Sequence, residues 1–406
     1  MSSAPPQWLT ATPLVYGENL QFWDRDAGLL CLGLRQLGQD SRFVALGEKT
    51  SGSSTPPLIT GRLADFHNPD WWRQWGATGV ILNAWAAPRY EPVARAIKAA
   101  GLGLVTRLDS SGCKSPRHHA RRFFLMTRLL LADEGHRVPR LAALAKTVLF
   151  GAVRSAHDDG MCAHLGHADV ITIESPLART WLGELLQQLG RADLVERLRV
   201  LPHPVGEDFQ LAPAVPRTPL ILAAGRWESH FKDTPKLVRV LGAVLARQPE
   251  ARARIIGTGE AVVRRELARL PAAVQARLEF AGARPHAELP RHMQGAQVIF
   301  CSSHLESFHL VSAEGLCCGC SVVGPADIPS MHWFTAAGCG TLAVDRSDAA
   351  LVAALERELG EWRAGRREAG RISALWRARL PPAAVAAAAM RLVAEVAAAR
   401  RGSESA

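Results

Sequence analysis

Four charged side chains in the second half of the chain are spaced for binding a ligand that carries phosphate and sugar groups. Arg226 and Lys232 flank the segment WESHF, and Glu306 and Glu314 lie within ESFHLVSAEG. Two cations can neutralise a diphosphate in place of a metal ion, and a carboxylate can accept hydrogen bonds from two neighbouring hydroxyls. These residue types predict a site for a nucleotide diphosphate linked to a sugar.

Glu314 stands among small and apolar neighbours, in a segment with the pattern of a packed helix. Carboxylates are rarely buried without a partner. We therefore expect a ligand, through the paired hydroxyls of a ribose, to be the partner of Glu314; the alternative is a solvated helix face. On a continuous helix Glu306 and Glu314 would lie ~12 Å apart, about the span from a ribose to a sugar across a diphosphate.

Other candidates follow the predicted strands of the second half. Gly257 and Gly259 allow close approach of the backbone to a ribose or base, with a plain tight turn as the alternative. A helix predicted from about Leu310 offers free N–H groups to an anion near His309. The remaining donor-site candidates at these strand ends are Gly225, Arg284 and Phe308.

The elements that must position these residues alternate between strand and helix along the whole chain. This order predicts parallel sheets covered by helices, in which ligands bind beyond the carboxyl ends of the strands. The predicted strands are 79–85, 102–112, 168–175, 219–227, 251–259, 278–282 and 297–303; the predicted helices are 27–39, 92–101, 179–190, 234–249, 260–270, 287–296 and one from about 310.

The segment LAPAVPRTP, residues 211–219, contains three prolines and predicts an interdomain linker. We therefore predict the α/β class, with two Rossmann-like doubly wound domains facing a central cleft. Residues 1–208 would form the first domain and residues 209–380 the second. Residues 381–406 would form a C-terminal helix.

Composition and charge restrict the class of protein. A chain of 406 residues that is 48% hydrophobic can build two full cores. The net charge of +10 favours anionic partners, but no nucleic-acid-binding motif is present, so no nucleic acid is expected. No run approaches the ~20 apolar residues of a membrane span, and the N-terminus lacks a signal-peptide pattern, which predicts a cytoplasmic protein.

The eight cysteines are scattered and form no disulfide framework. The cluster CCGC at Cys317, Cys318 and Cys320 has no second Cys/His pair at zinc spacing. We interpret these cysteines as small buried apolar residues and expect no metal site.

Two long segments resemble retaining GT-B glycosyltransferases, particularly family 4. GRWESHFKDTPKLVRVLGAVLARQPEARARIIGTG looks like the donor-binding run of that family, and RLEFAGARPHAELPRHMQGAQVIFCSSHLESFHLVSAEG resembles the segment that follows it. LPHPVGEDF is similar to the family's link between domains. The resemblance covers residues 201–325 by motif and the N-terminal half by pattern alone.

The resemblance implies a GT-B fold and metal-independent, retaining transfer from a nucleotide-diphosphate sugar to an acceptor hydroxyl. The acceptor could be a saccharide, lipid, peptide or small molecule. Arg226, Lys232 and Glu306 would be catalytic, with leaving phosphate helping to deprotonate the acceptor. Asp109 and Gly28 would lie on the acceptor side, and the last helix would pack back onto the first domain. A loop anchor or helix cap is the alternative role for Asp109.

The chain departs from the family pattern at Ser307 and Cys317, and at two places that bear on activity. His309 stands where the family usually has glycine, and Arg107-Leu108-Asp109 stands where it often has a His-Asp pair. A non-catalytic GT-B nucleotide-binding or scaffold protein is therefore the main alternative function. A nucleotide-sugar epimerase and an inverting transferase are weaker alternatives, because they lack this set of cations and carboxylates.

Two further segments have two interpretations each, and two histidines have a possible catalytic role. Residues 114–131 alternate arginines with apolar residues, which fits peripheral contact with an anionic membrane at the inner face or a core helix with a solvated arginine face. The aromatic segment WWRQW, residues 71–75, could stack on a sugar or pack at an interdomain surface. His118 and His119 could act as an acid and a base, but no partner is spaced for them.

Overall fold

The computed structural model describes residues 7–13, 25–47, 58–133, 145 and 154–404. The chain divides into two compact units: the first comprises Met1–Phe124, Leu141–Gly206 and Pro381–Ala406, and the second comprises Leu125–Arg140 and Glu207–Leu380. The first unit thus ends at residue 206 where the sequence predicts 208. Segment 211–219, the predicted linker, lies inside the second unit, as does part of the 114–131 segment.

The first unit contains a seven-stranded parallel sheet in the order β3-β2-β1-β4-β5-β6-β7. Its strands are β1 Trp8–Thr12, β2 Arg42–Leu46, β3 Leu58–Gly61, β4 Gly79–Asn83, β5 Gly103–Arg107, β6 Val170–Ile173 and β7 Leu198–Val200. The helices are α1 Asp26–Gln36, α2 Leu63–Phe66, α3 Pro69–Arg73, α4 Glu91–Ala99, α6 Arg154–Gly166, α7 Pro176–Gln188, α8 Ala192–Val195 and, after the second unit, α17 Pro382–Glu404. Helix α5 Ala120–Asp133 is divided between the units, with residues 125–133 in the second.

Strand β4 shows why this sheet needs helices on both sides. All five of its residues are buried. Val80 and Leu82 pack in the cluster that includes α4, whereas Ile81 packs on the opposite face with residues of α1 and α17. Alternate side chains of a strand point to opposite faces, so a continuous apolar run must be covered twice.

The second unit contains a six-stranded parallel sheet in the order β10-β9-β8-β11-β12-β13. Its strands are β8 Thr218–Arg226, β9 Arg252–Thr258, β10 Leu278–Gly282, β11 Ala296–Phe300, β12 Ser321–Pro325 and β13 Gly340–Ala343. Its helices are α9 Thr234–Arg247, α10 Glu260–Leu267, α11 Ala272–Gln275, α12 Leu289–Gln294, α13 Leu310–Cys317, α14 Pro329–Thr335, α15 Asp348–Arg363 and α16 Ala369–Arg377.

The strand order of the second unit creates a switch point between β8 and β11. From β8 the chain moves outward through β9 to β10, and then returns to the other side of β8 as β11. Helix α9 follows β8 and contacts α15, whereas α13 follows β11 and contacts α12 and α16. In open parallel sheets, ligands bind beyond the carboxyl ends of the strands at such a switch point.

Helix α13 lies close to the sheet because glycine stands at position 315, where the helix faces β11. A Cβ at Gly315 would lie 2.2 Å from a side-chain carbon of Ile299 in β11. The helix is buried from Ser312 to Cys317. The close packing fixes the position of the α13 N-terminus relative to the end of β11.

The α/β class and the two doubly wound parallel sheets are confirmed, and every predicted strand and helix occurs. The sequence did not predict β1, β2, β3, β7, β12 and β13, which are short runs of three to five residues. The Trp71–Trp75 segment packs inside the first unit: Trp72 is fully buried and Trp71 stacks on Phe66 at 5.3 Å. This segment therefore has a packing role within the first unit.

Candidate active site

An ion pair joins the two loops of the switch point in the second unit. Lys232 Nζ donates to Glu306 Oε1 at 2.6 Å, and the two side chains are 19% and 15% exposed. Lys232 ends the short 3-10 helix His230–Lys232 after β8, and Glu306 lies in the loop after β11. Because Glu306 precedes α13, the ~12 Å spacing of a continuous helix does not apply to the two glutamates.

Backbone contacts hold these two loops together. Ser302 Oγ donates to the Lys232 carbonyl at 2.9 Å, and the His304 N–H donates to the Phe231 carbonyl at 2.7 Å. Asp233, which follows Lys232, has a left-handed backbone with φ 49°. The turn at Asp233 lets the chain enter α9 while Lys232 stays directed at Glu306.

Gly225 leaves room for the lysine side chain. A Cβ at Gly225 would lie 3.3 Å from Lys232 Cε, which is tighter than an ordinary contact. The predicted donor-site residue Gly225 therefore acts through the space it leaves beside Lys232.

The ion pair determines the charge of Glu306. Burial raises the pKa of Glu306, but the positive charge of Lys232 and its hydrogen bond are the main effects that outweigh burial and lower the pKa to about 2. Glu306 is therefore a carboxylate at neutral pH, and Lys232 is its direct partner. The site holds one cation and one anion at hydrogen-bond distance, ready to contact a phosphate and a hydroxyl respectively.

Arg226 is the last residue of β8, and Arg284 lies just past the end of β10. Both side chains are exposed, and neither forms a hydrogen bond or an ion pair with any residue that the structure describes. Their guanidinium groups are available to a ligand.

Gly257 and Gly259 are required by the packing of the backbone. Gly257 has φ 134°, and a Cβ there would lie 1.7 Å from the Gly225 carbonyl oxygen. Gly259 has φ 85°, and a Cβ there would lie 2.5 Å from the Glu228 backbone nitrogen. The carboxyl ends of β8 and β9 and the turns that follow them are therefore in close contact, which supports the tight-turn interpretation.

Glu314 has a partner within the protein. Its Oε1 lies 2.9 Å from His286 Nε2, and the residue is 7% exposed. The expectation that only a ligand would pair with Glu314 is therefore corrected. The second carboxylate oxygen makes no hydrogen bond with any described residue, so Glu314 can still accept one from a ligand.

His309 is the N-cap of α13, with φ 59° and ψ 70°. The first intrahelical bonds are those from the N–H groups of Ser312 and Ala313 to the His309 carbonyl. The N–H groups of Leu310 and Val311 therefore point out of the helix end, as an anion site requires. Only the backbone of the predicted donor-site residue Phe308 can face a ligand, because its ring is buried against Phe334 at 5.0 Å.

Asp109 lines a small cavity at the carboxyl edge of the first unit's sheet. The strand order places this cavity beside the β1–β4 switch point of that sheet. Gly28 is buried in the first turn of α1, two residues after the lining residue Asp26. The residues that line the cavity are Asp26, Asn83, Ala84, Trp85, Arg107, Asp109 and His203.

His203 links two buried carboxylates beside this cavity. Its Nε2 lies 3.2 Å from Glu174 Oε1, and its Nδ1 pairs with Asp26. Burial lowers the pKa of His203, but the negative charge of Asp26 outweighs burial and raises the pKa to about 9. Burial alone raises the pKa of Asp26, and the charge of His203 outweighs it, so the Asp26 pKa falls well below its usual range.

Asp109, Glu174 and His203 could in principle share a metal ion, since their ligand atoms lie within 4.8 Å of one another. Arg107 and Lys114 both interact electrostatically with Asp109 and Glu174. Cationic side chains at this position disfavour a metal cation, although burial lowers the pKa of both Arg107 and Lys114.

The other interpretations made from the sequence have mixed outcomes. Helix α5 buries only Leu129 and exposes 47% of Leu130, so the core-helix interpretation of 114–131 is wrong, and membrane contact stays a prediction. No helix in the described part of the chain is long and apolar enough to cross a membrane. His118 pairs with Glu184 at 2.8 Å. All eight cysteines are free and buried, as predicted.

Three residues near these sites were not predicted. His286 lies past the end of β10, so the strand-end rule that selected Arg284 could have found it. Asp133, at the end of α5, accepts hydrogen bonds from Ser229 Oγ at 2.6 Å and the His230 N–H at 2.7 Å. Asp133 and His203 carried no local signal, because their partners lie far away in the sequence.

The sequence of the second unit matches a known protein family. Residues 207–370 match the model of the family described as glycosyl transferases group 1. The matched range contains Arg226, Lys232, Glu306 and Glu314. No curated protein matches the chain.

Solved structures resemble nearly the whole chain. HepE from Anabaena, in complex with UDP, aligns at 15% identity with a TM-score of 0.64, covering 96% of this chain and 100% of that one. Sucrose-phosphate synthase from Thermosynechococcus elongatus aligns at 15% identity with a TM-score of 0.62, covering 97% of this chain and 100% of that one. α,α-Trehalose 6-phosphate synthase from Burkholderia multivorans aligns at 12% identity with a TM-score of 0.61, covering 97% of this chain and 99% of that one. The chain has the GT-B fold, as predicted.

Proposed function

We propose that this protein is a glycosyltransferase that moves a sugar from a nucleotide-diphosphate sugar to an acceptor hydroxyl. The observation that carries the proposal is the Lys232–Glu306 pair, at 2.6 Å, at the switch point of the second unit. The surrounding residues 207–370 match a glycosyltransferase family, and a structure of the same fold, HepE, is in complex with UDP.

Each residue has a role in the proposed reaction. Lys232 and Arg226 stabilise the negative charge that grows on the leaving diphosphate, together with the N–H groups at the start of α13. Glu306 holds hydroxyl groups of the sugar, and Glu314 accepts a hydrogen bond from the ribose. We propose that these cations take the place of a metal ion.

We further propose that the configuration at the sugar carbon is retained. The proposal follows from the resemblance of the donor-binding motifs to family 4 enzymes. The first unit would bind the acceptor at the cavity that contains Asp109. Analysis of the product anomer tests retention, and an inverted product overturns this part of the proposal.

Ligand binding is the first experiment. Ligands that bind only the folded protein raise its apparent stability, so a thermal-shift panel of UDP, ADP, GDP and their sugar esters identifies the donor. We expect at least one nucleotide diphosphate to raise the melting temperature in the absence of divalent metal. Stabilisation by none of them contradicts the proposal.

The Lys232→Ala variant tests the catalytic role. We expect turnover to fall by about 100-fold or more, because a charge that stabilises the leaving group is lost. Loss of the partner of Glu306 should also lower the free energy of unfolding by about 1–3 kcal/mol. Donor consumption and urea unfolding measure the two effects. Arg252→Ala, which removes an exposed arginine at the amino end of β9, is the matched control.

The main alternative is a non-catalytic protein that binds the nucleotide. The strained His309 in place of the usual glycine favours this alternative. Binding without transfer or hydrolysis of any donor in the panel would support it. Wild-type turnover in Lys232→Ala would instead remove Lys232 from the mechanism.

A further inference from the structure

His309 is held in a strained backbone conformation beside the Lys232–Glu306 pair. Its φ of 59° lies in the left-handed region, which side chains other than glycine adopt rarely. Glycine at the same position would be free of this strain. A strained residue that persists at a ligand site indicates that its side chain has a function there.

The protein fixes one side of the His309 ring and leaves the other free. Nδ1 lies 2.7 Å from Ser312 Oγ, on the first turn of α13, and the residue is 6% exposed. Nε2 makes no hydrogen bond with any residue in the described part of the chain. The ring is therefore oriented by Ser312, and its second nitrogen is available to a ligand.

The imidazole is uncharged at neutral pH. The pKa of His309 falls to about 4 because burial, assisted by the charge of Lys232, outweighs the opposing charge of Glu306. A neutral ring adds no charge to a diphosphate, which Lys232 and the helix N-terminus already neutralise. A single hydrogen bond from a neutral ring suits a hydroxyl group.

We propose that His309 contacts the sugar of the donor and selects among nucleotide sugars. Nε2 would form a hydrogen bond with a sugar hydroxyl, beside the hydroxyls that Glu306 holds. This inference rests on the proposed function, because it assigns a specificity-determining residue at the sugar end of the same site.

Two variants separate the ring from the backbone. His309→Gly removes the ring and relieves the strained conformation. His309→Asn tolerates the left-handed conformation and keeps an amide group for Ser312, but it is too short to reach the position of Nε2. The control is Ala337→Gly, since Ala337 is an exposed residue of the second unit with φ 56° and lies outside the site.

Calorimetric titration compares the nucleotide diphosphate selected by the panel with its sugar esters. We expect both His309 variants to bind the preferred nucleotide sugar roughly threefold to tenfold more weakly, the effect of losing one hydrogen bond. Affinity for the free nucleotide diphosphate should stay within about twofold of wild type. The differences in affinity between sugars should also become smaller. Ala337→Gly should match wild type for every ligand.

Three outcomes overturn the inference. An equal loss of affinity for the nucleotide diphosphate and its sugar ester places the ring at the phosphates. Unchanged affinity for both assigns the ring to packing alone. A wild-type chain that binds no nucleotide sugar refutes the proposed function and this inference with it. If the wild-type chain binds a nucleotide sugar and the His309 variants bind it with unchanged affinity, only the inference is rejected.

Discussion

Glu306 depends on Lys232 for its charge. Glu306 is mostly buried, and burial by itself favours the neutral acid. The adjacent ammonium group reverses this preference, with the result that the pKa falls to about 2. The pair therefore keeps a carboxylate and an ammonium group charged at a site that is partly shielded from water. A ligand with phosphates and hydroxyls can replace the hydrogen bond of the pair with its own.

Glu314→Gln should weaken binding of the nucleotide more than it slows the reaction. The proposed partner of Glu314 is a ribose, which is present in both the bound donor and the transition state. We expect the Kd for the nucleotide diphosphate to rise about tenfold, the effect of losing a hydrogen bond to a charged group. Titration calorimetry and kcat measure the two effects. Glu279→Gln, at an exposed carboxylate of β10, is the control. An unchanged Kd would show that Glu314 pairs with His286 and does not bind the nucleotide.

At the scale of elements, the turns after β8 and β9 form one packed unit. Gly257 touches the Gly225 carbonyl, and Trp227 Nε1 donates to the Ile256 carbonyl at 2.8 Å. The same turn after β8 carries Arg226 and leads to Lys232. The position of Lys232 therefore depends on how closely two neighbouring strand ends approach each other.

Gly257→Ala should destabilise the second unit. The new Cβ would overlap the Gly225 carbonyl in a backbone conformation that alanine rarely adopts. We expect a loss of about 2–4 kcal/mol in the free energy of unfolding, from strain and overpacking together. Gly365→Ala is the matched control, because Gly365 has φ 67° but nothing within 4 Å of a Cβ. Urea unfolding of both variants checks the difference, and equal losses would exclude the close contact.

At the scale of the whole molecule, the two units place charge at the carboxyl edges of their sheets in different ways. The second unit has the partly exposed pair Lys232–Glu306. The first unit buries His203 between Asp26 and Glu174, with Arg107 only 2% exposed and its Nε and Nη1 without a partner among the described residues. Burial of so many charges makes the stability of the first unit sensitive to pH.

Raising the pH should destabilise the protein through His203. Its pKa is about 9 in the folded state and near 6.5 in the unfolded chain. The folded state therefore binds the proton more tightly, and this stabilisation is complete below pH 6.5 and lost as the pH rises through 9. We expect a loss on the order of 2 kcal/mol between pH 6.5 and 9.5. Urea unfolding across this range measures it. His203→Gln should remove most of the dependence, and a wild-type chain without it would contradict the assignment.

The sequence by itself determined the α/β class, most of the long strands and helices, and the strand ends near which the site residues lie. These features follow from local periodicity and from the order of the elements, which a single chain displays directly. The sequence did not reveal six short strands. The tertiary structure decided which residues meet. It paired Lys232 with Glu306 and Glu314 with His286, and it placed the ring of Phe308 in the core. It also grouped residues 125–133 with the second unit. Such contacts depend on strand order and on side-chain packing between distant segments, and local periodicity does not encode either.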